Sequence, residues 1–96
     1  MVRAEQGKED YQIRIRFRGF AARIVAERRW HPSQEVHAVE EDGSVIDLSM
    51  RLSALEDIAR WVLGFGSQVE VLEPKELLEK VVDELRKAAS QYEKPE

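Results

Sequence analysis

A strict alternation from Gln12 to Phe17 narrows the possible folds more than any other stretch of this chain. Ile13, Ile15 and Phe17 fall on one side and Arg14, Arg16 and Arg18 on the other, the period of two that lets a strand bury one face and wet the other. Gly19 ends the strand. From Phe20 to Arg29 the spacing turns helical, with Ala22, Val25, Ala26 and Arg29 on one face and Arg23 and Glu27 opposite. Trp30-His31-Pro32 stops this helix, because the residue before a proline is pushed out of the helical region.

The next signals continue the same grammar. Glu35–Val39 and Val45–Leu52 flank the turn Glu40-Glu41-Asp42-Gly43-Ser44, and Asp-Gly between two alternating stretches marks a hairpin. The first stretch is less regular, which anticipates a bulge near Val39. Ser53-Ala54-Leu55-Glu56 reads as a capping box, followed by a helix with a stripe of Leu55, Ile58, Ala59, Val62 and Leu63. Gly64 and Gly66 close it, Val69–Leu72 is a short strand, and Pro74 suits the first turn of a last helix. That helix carries an apolar stripe of Leu78, Val81, Val82, Leu85, Ala88, Ala89 and Tyr92.

The order β-α-β-β-α-β plus one helix predicts an α+β fold, a ferredoxin-like βαββαβ two-layer sandwich with an additional C-terminal helix. The first and third strands are expected in the centre. Ile13, Ile15, Phe17, Ile46, Leu48, Met50, Val69 and Val71 should point inward, and Arg14, Arg16, Arg18, Asp47, Ser49 and Arg51 outward. With 96 residues, 43% of them apolar, the chain supports one core. That domain is placed at residues 11–92, between a flexible N-terminal linker (1–10) and a frayed tail (93–96).

Little in the sequence points to catalysis. No cysteine is present, which removes disulfides, thiolate metal sites and thiol nucleophiles. His31 and His37 lack helical metal-ligand spacing. There is no HExxH, no phosphate-cradling glycine loop and no serine elbow, and Gly64-Phe65-Gly66 closes a helix rather than opening one. No metal, no cofactor and no enzymatic activity are expected. No export signal opens the chain, and stretches such as Trp61–Phe65 are too short to span a bilayer, so a cytoplasmic protein without a membrane partner is expected.

Charge is distributed unevenly. Residues 11–30 carry six arginines against Glu27, whereas residues 31–50 carry five acids and no Lys or Arg, within a net charge of −4. Arg14, Arg16 and Arg18, with Arg51, form a candidate face for an anionic ligand, a nucleotide or a single-stranded nucleic acid, since guanidinium forks grip phosphates and carboxylates. The favoured reading pairs them instead with Asp47 and Glu70 on adjacent strands. The outward positions of the central strands hold Arg, Asp and Ser rather than stacking aromatics, which disfavours RNA recognition of that type. Trp30 is expected to plug a core edge, and Trp61 to sit partly exposed at a stripe margin. The long last helix needs a partner for its stripe, either the sandwich or a second copy, and a homodimer is expected.

Three phrases in this order resemble a known family: RRWHPSQ at 28–34, EEDGSVIDLSMRLS at 40–53 and LEDIARWVLGFGSQVEVLEPKELLEKV at 55–81. They are similar to the C-terminal extension (WCX) domain that follows the WYL domain in bacterial transcription regulators, over about Tyr11 to Tyr92. The resemblance implies a ferredoxin-like module that supports dimerisation and contacts the WYL domain of the full-length regulator. The DNA-binding winged helix-turn-helix and the WYL domain lie upstream in that architecture, so DNA binding is not carried over to these residues. Trp30, His31, Pro32, Ser33 and Gln34 match a signature turn whose implied role is structural, setting the path from helix into strand.

Overall fold

The computed structural model describes residues 11–93; the linker expected at 1–10 and most of the tail at 93–96 lie outside them, and Glu93 closes a helix. The elements are β1 (Tyr11–Arg18), α1 (Gly19–Ala26), β2 (Glu35–Ala38), β3 (Val45–Leu52), α2 (Glu56–Leu63), β4 (Val69–Glu73) and α3 (Lys75–Glu93). The four strands form one antiparallel sheet in the order β2-β3-β1-β4, with the first and third strands central as expected.

The alternation in β1 does what its chemistry requires. Ile13, Ile15 and Phe17 are fully buried, and with Ile46, Leu48, Met50 and Val71 they meet Ala21, Ala22 and Val25 of α1, Ile58, Ala59 and Val62 of α2, and Leu77 and Val81 of α3 in one cluster. Val69 is half-buried at its margin. The opposite face carries the arginines. Phe17 is the hub of an aromatic group, edge-on to Trp61 at 5.5 Å and to Phe65 at 5.2 Å, while Trp61 lies 4.8 Å from Trp30. Both tryptophans are half-buried at the core margin.

Four local expectations need correction. α1 ends at Ala26 instead of Arg29, and its buried face is Ala21, Ala22 and Val25, with Ala26 exposed. The helix stops there because the Trp30 indole N–H donates to the Val25 carbonyl at 3.1 Å, drawing the chain back. The capping box does not form. α2 begins at Glu56 behind Leu55 with no side-chain cap, since Leu55 is buried in the core and shifts the helix start past Ser53. Glu56 and Asp57 in the first turn favour the helix dipole instead. Gly64 has ordinary helical angles, and Gly66 supplies the left-handed residue at φ 61°. In α3 the side that packs on the domain is Leu77 and Val81, while Leu78, Leu85 and Tyr92 of the expected stripe are 40%, 47% and 89% exposed.

Two expectations about local backbone hold, the irregularity near Val39 and the end of β1 at Gly19. Val39 and Glu40 both donate their amides to the Val45 carbonyl, at 2.8 and 3.2 Å, the two-against-one arrangement of a bulge. Gly19 turns β1 directly into α1 through φ 61°, and its amide bonds the Ser44 carbonyl at 2.9 Å. Among the described residues no helix is long and apolar enough to cross a membrane.

Candidate functional site

Register decides the fate of the arginine stripe. Arg16 stands opposite Asp47 on β3 and Glu70 on β4, and Arg14 opposite Ser49 and Glu73. Arg16 grips Asp47 with a fork, Nε to one carboxylate oxygen at 2.7 Å and Nη2 to the other at 3.0 Å. Arg14 lies between Asp47 at 3.7 Å and Glu73 at 3.6 Å, and Arg18 bonds Glu70 at 2.9 Å. Three guanidiniums thus face three carboxylates across the two central strands and β4. Glu73 belongs to this network although the sequence pattern did not single it out, because Val69–Glu73 runs one residue beyond the strand expected there.

Asp47 is the anchor of the face. Among the described residues it is the one buried polar or charged side chain, 5% exposed. The two bonds from Arg16 hold its carboxyl below the usual aspartate range against the opposing effect of burial, with smaller help from the charges of Arg16, Arg14 and His37. The same bonds stabilise the charged guanidinium of Arg16 further. A buried carboxylate needs this degree of pairing. Arg51 is exposed at the far end of β3, opposite Gln12, and among the described residues it joins none of these ion pairs. The four candidate arginines therefore do not converge on one unoccupied point.

The Trp30–Gln34 segment is a closed turn tied together by its own side chains. The Gln34 side-chain oxygen accepts from the amides of Trp30 and His31, and its Nε2 donates to the Arg28 carbonyl at 2.9 Å. The Gln34 amide in turn bonds the His31 carbonyl at 3.0 Å. Ser33 Oγ accepts from the Arg51 amide at 2.9 Å and lies 2.8 Å from His31 Nδ1. The β2–β3 ladder pairs Glu35 with Ser49, so Ser33 falls opposite Arg51 and its hydroxyl stands in for a backbone group just before β2 begins. Pro32 leads into this turn without needing an amide partner. Trp30 and His31 also border a shallow apolar groove of about 180 Å³ with Met50, Leu52, Ile58 and Trp61.

Gln68 is a further structural residue that sequence patterning missed. Its Oε1 accepts the Ala21 amide at 3.0 Å, capping the α1 N-terminus from a distant loop. A polar residue in a short loop gives no local sign of that role. Among the described residues no three His, Asp or Glu side chains group closely enough to hold a metal ion.

Among curated proteins none matches this sequence. Residues 9–89, nearly the whole chain, match the family described as the WCX domain, and they include the Trp30–Gln34 turn, the acidic hairpin and the helix-to-β4 phrase. The chain belongs to the WCX domain family.

Proposed function

We propose that this chain is the non-catalytic association module of a WYL-type transcription regulator, with the ferredoxin-like arrangement, and that it works by joining two copies of the regulator beside their WYL domains. Family membership supports the link to WYL-type regulators. The central β1–β3 pair in an antiparallel sheet supports the ferredoxin-like assignment. The observation that carries the association role is α3: every residue from Asp83 to Glu93 is exposed, so half the helix projects from the domain with Leu85 and Tyr92 uncovered. A projecting helix of three turns has little stability of its own in water and gains it from packing.

The arginine face serves this role as a closed, charge-balanced surface. An anionic ligand there would have to displace Asp47, Glu70 and Glu73 from guanidiniums they already hold. Light scattering on the purified chain over a range of concentrations tests the proposal. The expected result is a mass that rises from one to two chains. A strict monomer that instead binds a single-stranded oligonucleotide saturably, with affinity falling steeply in salt, would replace this role with that of a ligand sensor.

A further inference from the structure

We infer that α3 pairs antiparallel with α3 of a second copy, in a register set by Glu79 and Arg86; this rests on the association role proposed above and specifies its geometry. On α3 Leu78, Leu85, Ala89 and Tyr92 are exposed and Val82 is half-buried, and these five apolar residues fall on one side of the helix, whereas the exposed Ala88 lies on the side of Leu77 and Val81. The spacing of the five alternates four and three, the heptad seam of a two-stranded coiled coil, with a β-branched residue and leucines at its inner positions. Leu77 and Val81, which dock on the domain, lie roughly 80° around the helix from this seam at 100° per residue. The seam and the docking face are therefore separate, and a second helix reaches the seam without displacing the first contact.

The orientation follows from where the domain stops. Its body covers α3 as far as Val82, and the rest projects roughly 16 Å. In an antiparallel pair centred between positions 83 and 84, the projecting half of each helix lies along the anchored half of the other. Leu78 then shares a layer with Ala89 of the second copy, and Val82 with its Leu85. The two domain bodies extend in opposite directions from the centre. In a parallel pair the projecting halves would meet only each other, and the two bodies would compete for the same end.

Charge selects the same arrangement. The flank of the seam opposite the Leu77–Val81 docking face carries Glu79 and Arg86; Glu79 also borders a cleft with Tyr11 and Ser53 and pairs with Lys75 of its own helix at 3.8 Å, an exposed contact that a second copy's arginine can share. Antiparallel pairing places like heptad flanks together, so Glu79 of each copy comes within two residue levels of Arg86 of the other, about 3 Å along the axis. Two opposite-charge contacts result, related by the two-fold axis of an isologous dimer. A parallel pair gives Glu79 no basic neighbour across the seam.

Sedimentation of the whole chain and cysteine cross-linking test this together. Reversing either charge, Glu79→Arg or Arg86→Glu, is expected to weaken dimerisation about tenfold, since each reversal turns two attractive contacts repulsive. The double reversal restores it. Leu85→Arg, at an exposed position whose loss leaves the fold intact by circular dichroism, abolishes the dimer. Because the chain has no native cysteine, Leu78→Cys chains mixed with Ala89→Cys chains should link to one another on mild oxidation, while Leu78→Cys alone should not link. A dimer that links through Leu78→Cys alone, or that ignores Leu85→Arg and both reversals, overturns this pairing while leaving the association role standing. A monomer at every concentration overturns both.

Discussion

Replacing Gln34 by alanine removes three hydrogen bonds that tie the α1–β2 turn together. Its oxygen serves the amides of Trp30 and His31, and its nitrogen serves the Arg28 carbonyl. A net contribution of about 1 kcal/mol per bond sets an upper figure near 3 kcal/mol. Gln34 is half-buried, so water replaces part of what is lost, and the expected cost is about 2 kcal/mol. For a domain of this size that lowers the unfolding midpoint by roughly 10 °C. Gln34→Glu keeps acceptors for the two amides but sets a second oxygen against the Arg28 carbonyl, so it should recover only part of the loss. Chemical and thermal denaturation followed by circular dichroism, with the combined fluorescence of the adjacent Trp30 and Trp61 as a second signal, measures both variants. A loss below about 0.5 kcal/mol for Gln34→Ala, the level of ordinary surface substitutions, would refute the view of this turn as a clasp that sets the entry to β2.

Two further outcomes follow from the same geometry. The Asp47 carboxyl is held below the aspartate range in the folded chain, so its stabilising contribution is complete above the unfolded value of about 3.9 and is lost as pH falls through the folded value; NMR titration should find its midpoint depressed, Arg16→Gln should raise it, and a wild-type midpoint at or above that of a free aspartate would contradict the fork. Gly19→Ala places a Cβ 2.9 Å from Gln68 Nε2 at φ 61°, whereas Gly43→Ala at φ 81° meets open space. Both should cost about 1–2 kcal/mol for the left-handed backbone, with Gly19→Ala costing about 1 kcal/mol more by dislodging the Gln68 cap from Ala21; equal losses in denaturation would show that the cap contributes nothing.

Much of this architecture is legible in the residues because burial and period are tightly coupled in short strands. Ile13, Ile15 and Phe17 are fully buried as their alternation requires, and Arg16–Asp47 and Arg18–Glu70 form as neighbours on adjacent strands must. Helix ends are less legible. Ser53 and Glu56 have the spacing of a capping box, yet burying Leu55 outweighs a hydrogen bond that water replaces at little cost. The α3 stripe reads as one face in the sequence, but only Val81 of it is buried, beside Leu77, whose role shows only once the helix is docked. Long-range side-chain bonds such as Gln68 to Ala21 and Ser33 to Arg51 leave no periodic trace, because they depend on which loops the fold brings together.

Hydrogen exchange along α3 as a function of protein concentration tests the association account most directly. Amides from Leu85 to Tyr92 belong to the part of the helix that the domain does not cover, so in a monomer they should exchange fast, far below the protection of β1 and β3. The account predicts that their protection rises with concentration while that of the central strands stays constant. Fast exchange of Leu85–Tyr92 at every concentration would contradict it.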